Sequence, residues 1–283
     1  MSPARRNRTA HEQKAIAVEP ESVKQCCARL YESDVAKLLL GESFHPGGLK
    51  LTQRIGEILG LGPENRVLDV ASGKGTSAMF LAQHFGCEVV GIDYGNHNVE
   101  TANHEAAVKG LGTRVRFERA DAELLPIPDG SFCAVICECA FCTFPNKTAA
   151  AAEFMRVLRA GGQVGLCDLT RAPALPKALD GLLAWVACVA DAQPIESYVA
   201  TLHAAGLMVE HIELHNESLS ELVQQVRAKL LGAEIMVGLK KLDLPGVDFR
   251  TAKQMVKDVI VAIEQNQLGY ALITANKPMI ASP

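Results

Sequence analysis

Residues 66–77, RVLDVASGKGTS, constrain this chain more than any other stretch. An apolar run leads into Asp69, and a turn of small residues through Ser72, Gly73, Lys74 and Gly75 opens into a helix-compatible segment. A buried strand that empties into a glycine turn lets a ligand approach the main chain, because no Cβ intervenes. The helix that follows directs its free N–H groups at that ligand. Eighteen residues past Gly75, a second apolar run, CEVVGID, ends in Asp93 and is followed by Tyr94. A carboxylate at the tip of that strand can accept both hydroxyls of a ribose diol. The pattern predicts a nucleoside-binding βαβ unit with Asp69, Ala71, Gly73, Gly75, Asp93 and Tyr94 around the ligand.

Dinucleotide sites use a G-x-G-x-x-G turn. Here the positions read Ala71, Gly73 and Gly75, with Ala78 three residues further on. Asp69 just ahead of the turn would repel a pyrophosphate and attract a cationic amino-acid group. A third element follows in RVRFERADAELLPIPDGSF, a strand and then Asp121-Ala122. Asp121 is placed to take an adenine amino group, with the Ala122 amide beside it. In this order the three elements resemble class I S-adenosylmethionine-dependent methyltransferases, over roughly residues 50–215. The resemblance implies an α/β, Rossmann-like fold: a mostly parallel seven-stranded sheet with helices on both faces, S-adenosylmethionine as cofactor, and Glu138 near it. Ala71 stands where that family usually has its first glycine. A dehydrogenase or flavodoxin-like domain is the competing reading, and the Asp69, Asp93, Asp121 series argues against it.

Composition narrows the partners. A net charge of −4 and a pI near 6.1 give no general attraction to phosphate backbones, so nucleic acid is not expected as a partner. No apolar run reaches the roughly 18 residues of a membrane span, and the polar start lacks a secretory h-region, so a cytoplasmic protein without a membrane partner is expected. Nine cysteines, an odd number, argue against a disulfide framework.

Apolar periodicity divides the chain into a disordered tail (1–20), an N-terminal helical segment (21–60), a cofactor-binding core (61–217), a helical insertion (218–265), and a final strand with its tail (266–283). Strands are expected at 66–70, 88–92, 114–119, 133–138, 162–168, 207–214 and 268–275, and helices at 75–85, 96–109, 147–158 and 193–205. Asn96 is a candidate cap for the second of these helices. Gly161-Gly162 is expected to end the helix over 147–158. The insertion reads equally as a lid or as a hairpin extending the core.

The cysteines cluster. CECAFC at 137–142 follows the fourth strand, at the carboxyl end where open α/β sheets bind ligands, so Cys137, Cys139 and Cys142 gather near the reacting position. Cys137 and Cys139 share a face if the strand continues. Packing is the default role of such residues. The segment CECAFCTFPNK, followed by RVLRAGG and a strand ending CDL, resembles the corresponding part of arsenite methyltransferases. Cys139 stands eight residues before Lys147, with Asn146 in place of that family's aspartate. Cys188 matches the second family cysteine, and Cys26-Cys27 are candidates for its N-terminal pair. The segment after residue 215 departs from that family. The resemblance implies Cys139 and Cys188 at the reacting centre, where the strand exit also puts Cys142, and Cys139, Cys188, Cys26 and Cys27 as thiolate ligands to trivalent arsenic.

That chemistry is self-consistent, because arsenic is soft and binds thiolates. Its lone pair attacks the sulfonium methyl, so no general base is required, and holding the two atoms in line at roughly 3–3.5 Å supplies the rate. Glutathione or thioredoxin would serve as reductant. Two other functions fit the residues: a methyltransferase of a small organic metabolite with structural cysteines, and a cofactor-binding sensor without turnover. His45, Tyr31 and Lys74 are candidates for cofactor contact, and Glu138 for a base if the acceptor carries a proton. Trp185 reads as a core anchor, and Asp168 as a turn cap.

Overall fold

The computed structural model describes Lys24 and residues 45–173, 191–244 and 247–279. Seven runs of apolar and β-branched residues form strands: β1 (Arg66–Val70), β2 (Glu88–Asp93), β3 (Val115–Arg119), β4 (Phe132–Glu138), β5 (Leu158–Arg171), β6 (Met208–Leu214) and β7 (Leu268–Asn276). They make one sheet in the order β3-β2-β1-β4-β5-β7-β6. β1 to β5 pair in parallel, and β7 runs antiparallel to both β5 and β6. Parallel strands covered on both faces read as continuous apolar runs. Val67, Leu68 and Val70 of β1 are accordingly fully buried, as are Val135, Ile136 and Cys137 of β4.

The helices are α1 (Gly48–Ile58), α2 (Thr76–Phe85), α3 (Asn96–Val108), α4 (Lys147–Val157), α5 (Ile195–Ala204), α6 (Asn216–Gly238) and α7 (Phe249–Glu264). α2 packs on β2, α3 on β3 and α4 on β5. α6 and α7 pack on each other between β6 and β7 in the chain, and Asn216 fastens their base by accepting the Tyr270 amide at 3.0 Å. Among the described residues, no helix is long and apolar enough to cross a membrane.

Two local expectations fail. Gly161-Gly162 does not end the helix. α4 stops at Val157, and Leu158 is already extended, at φ −73° and ψ 138°. The glycines lie inside β5, where its pairing with β4 shifts register and Gly161 sits at φ 71°. Asn96 does not cap α3 either. Gly95 holds that position, its amide bound by Asp93 Oδ1 at 2.8 Å, while the Asn96 side chain reaches forward to Glu100.

Candidate cofactor and acceptor site

The carboxyl ends of β1, β2 and β4 open onto one cavity. Its floor is the turn after β1. The Ser72 amide donates to the Ile92 carbonyl at 2.8 Å, tying the turn to β2, and the Gly75 amide closes it on the Ser72 carbonyl. Ala71 at φ 59° and Gly73 at φ 53° both occupy the left-handed region. A Cβ on Gly73 would meet nothing within 4 Å, so open space lies in front of the main chain there.

Asp93 braces this turn. Its Oδ2 accepts the Gly73 amide at 2.8 Å, and its Oδ1 accepts the Gly95 amide at 2.8 Å and the Asn98 side-chain amide at 3.2 Å. Asp93, Tyr94, Asp121 and Ala122 all lie on the cavity wall with Asp69, Ala71, Gly73 and Glu138. Gly75 does not. A Cβ there would stand 2.2 Å from Phe117 Cζ, so its missing side chain makes room for a ring of the sheet rather than for a ligand. Gly91 meets the same ring at 2.3 Å. At the far end, Lys24 pairs with Asp121 at 2.7 Å and with Glu123 at 2.6 Å.

Carboxylates crowd the other end. Asp69 is 3 % exposed, and its Oδ2 is buried without a hydrogen-bond partner. Burial first, then the neighbouring Glu138 and Asp93 carboxylates, push its pKa well above the ordinary carboxylate range. Glu138 receives the Thr52 hydroxyl at 3.0 and 3.1 Å from its two oxygens, and His45 Nε2 lies 3.6 Å from it. A buried carboxyl oxygen with no partner, as at Asp69 Oδ2, marks a place for a cation. S-adenosylmethionine, with its ammonium and sulfonium, suits this acid in charge, and Ser72 Oγ is a second buried atom with no partner.

Another part of the cavity wall is formed by the chain leaving β4. The strand ends at Glu138, so the alternation that would put Cys137 and Cys139 on one face stops there. Cys139 takes φ 54°, its amide donates to the Cys167 carbonyl at 2.7 Å, and it lies on the cavity wall with Ala140, Thr143 and Phe144. Cys137 is fully buried, and burial followed by the Asp168 charge raises its thiol pKa well above the usual range. Cys142 is also fully buried and lies behind the cavity wall: in the 3-10 turn Phe141–Thr143, Phe141 and Cys142 are buried while Thr143 lines the cavity. Cys26, Cys27, Cys188, Tyr31 and Trp185 lie outside the described residues. Among the described residues, no group of three His, Cys, Asp or Glu side chains is disposed to hold a metal ion.

Two residues that support the wall escaped the sequence reading. Asn98 supports Asp93 from one turn into α3, and Thr52 supports Glu138 from α1. Neither stands in a motif. Only the packing of helix on strand brings them in.

Comparison with known proteins agrees with this geometry. The profile of a methyltransferase domain family matches residues 67–162. The 27-O-demethylrifamycin SV methyltransferase of Amycolatopsis mediterranei is 30% identical over 87% of this chain and 94% of its own length. The chain belongs to the class I S-adenosylmethionine-dependent methyltransferases. Its cofactor is S-adenosylmethionine, which supplies an electrophilic methyl group on a sulfonium. Methyltransferase GfsG of Streptomyces halstedii is 29% identical over 82% of this methyltransferase and 81% of its own length. A putative sarcosine dimethylglycine methyltransferase from Galdieria sulphuraria shares the fold, with a TM-score of 0.75 over 89% of this chain and 98% of that one at 18% identity.

Proposed function

We propose that this methyltransferase acts on a small, soft acceptor held by the Cys139 thiol at the cavity wall, with arsenite the first candidate. The observation that carries the reading is the place of Cys139: past the end of β4, in a left-handed conformation, on the wall of the cavity that Asp69, Asp93 and Glu138 also line. Thiolate ligation leaves the arsenic lone pair as the nucleophile. The new As–C bond forms as the C–S bond breaks, and that electron pair returns to sulfur. In this reading Asp93 takes the ribose hydroxyls, Asp121 and the Ala122 amide take adenine, and Asp69 answers the cationic amino-acid end. Cys188, Cys26 and Cys27 are proposed as further thiol ligands, glutathione or thioredoxin as the reductant, and the cytoplasm as the compartment.

Incubation with methyl-labelled cofactor, arsenite and glutathione tests this. Labelled methylarsenicals are expected from the native protein and none from Cys139→Ser. Undiminished turnover in Cys139→Ser, or labelling only of an organic acceptor, overturns the metalloid reading and leaves the methyltransferase assignment standing.

A further inference from the structure

Asp168 lies within β5, three residues before its carboxyl end, 1 % exposed, behind the cavity wall rather than on it. Its Oδ2 accepts the Cys142 amide at 2.8 Å, and its Oδ1 accepts the Leu169 amide at 2.7 Å. Oδ2 thus holds the backbone of the turn after β4, while Oδ1 holds that of its own strand. We propose that Asp168 is a positioning residue for methyl transfer: by fixing the Cys142 amide it sets the turn over residues 139–145, and with it the place of Cys139. This deepens the function proposed above and rests on the acceptor being met at that turn.

The turn needs such a support. A non-glycine residue at φ 54° costs on the order of 1 kcal/mol and persists only where its surroundings over-determine it. From one side the Cys139 amide is held by the Cys167 carbonyl, one residue before Asp168. Within the turn, the Thr143 amide and hydroxyl both donate to the Ala140 carbonyl, at 2.9 and 2.7 Å. Beneath it, Phe141 packs against Phe154 and Tyr198 with centroids 5.8 and 5.9 Å apart, and the Tyr198 hydroxyl donates to the Leu169 carbonyl at 3.0 Å. β5 therefore grips the turn directly at Cys167 and Asp168, and through Tyr198 at Leu169. A carboxylate can accept two amides at once, whereas an asparagine side chain would set its NH₂ against one of them.

Site-resolved iodoacetamide labelling of the full chain tests the role without any acceptor. In Asp168→Ala and Asp168→Asn, Cys139 should be alkylated about tenfold faster than in the native protein, while Cys137, Cys142 and Cys167 stay protected and cofactor affinity by calorimetry stays within about threefold. A native alkylation rate at Cys139 with the buried thiols protected overturns the proposal. If Asp168→Ala exposes the buried thiols, Asp168→Asn is read by the same criterion. Exposure in both makes Asp168 a folding residue and overturns the positioning role too. With arsenite as acceptor, kcat should fall while KM for the cofactor holds. A native protein inactive on arsenite sinks the acceptor reading but leaves the labelling result intact.

Discussion

Asp93 Oδ2 accepts the Gly73 amide at 2.8 Å, so the acid ending β2 and the glycine turn after β1 are one structural unit. Removing the carboxylate frees the Gly73 and Gly95 amides and takes away the proposed ribose acceptor together. Hydrogen bonds to a charged group contribute about 1.5–3 kcal/mol each. Asp93→Ala should therefore weaken S-adenosylmethionine binding between about ten- and a hundredfold by titration calorimetry. Unchanged affinity would remove Asp93 from the cofactor site.

Asp69 predicts a pH dependence with a definite sign. Its folded pKa is raised above the ordinary 3.8 by burial, then by Glu138 and Asp93, so the folded chain holds a proton that the unfolded chain has released. The stabilisation is full below 3.8 and is lost as pH rises through the elevated folded value. Melting of the ligand-free protein should fall across that window, and Asp69→Asn should flatten the slope. A bound cation reverses the balance. Cofactor uptake should release a proton, seen as a heat that depends on the buffer's ionisation enthalpy and disappears in Asp69→Asn.

Ala71 sits at φ 59°, a conformation that costs an L-residue about 1–2 kcal/mol relative to glycine's freedom there. Ala71→Gly also gives the unfolded chain more conformations, which offsets part of the gain. The net should be a stabilisation of about 0.5–1 kcal/mol by denaturant unfolding. A destabilised variant would show that the left-handed conformation is not strained.

Gly91 has the opposite expectation. A methyl group there would stand 2.3 Å from Phe117 Cδ1 and 2.7 Å from Ser72 Oγ. Gly91→Ala must push the ring or the turn aside, at a cost of about 1–3 kcal/mol. The melting temperature should drop, and cofactor affinity should drop with it, because Ser72 belongs to the cavity wall. Adding Phe117→Leu should recover much of the stability.

The central strands were legible because they are buried on both faces and so write their burial as apolar runs, as in Phe132–Cys137 of β4. The acids Asp69, Asp93 and Asp121 were legible because each stands within two residues of a strand's carboxyl end. What sequence hid were contacts made across the fold. Thr52 reaches Glu138 over 86 residues and Asp168 reaches Cys142 over 26, and spacing along a chain carries no trace of either. Gly75 was read as a ligand approach, yet the Phe117 ring from two strands away occupies that room. The shared face expected for Cys137 and Cys139 is absent because β4 ends at Glu138, and Cys142 is buried in the 3-10 turn that follows.

The position of β7 has a bearing on how this molecule comes together. β6 and β5 are synthesised first, yet both pair with β7, which is wedged between them. While residues 268–276 remain inside the ribosome, β5 presents an unfilled edge and β6 has no neighbour to zip against. Exposed backbone of that kind invites pairing with the wrong chain. Assembly of this half of the sheet is therefore a late event in biosynthesis, and it waits on contacts made over a long stretch of sequence.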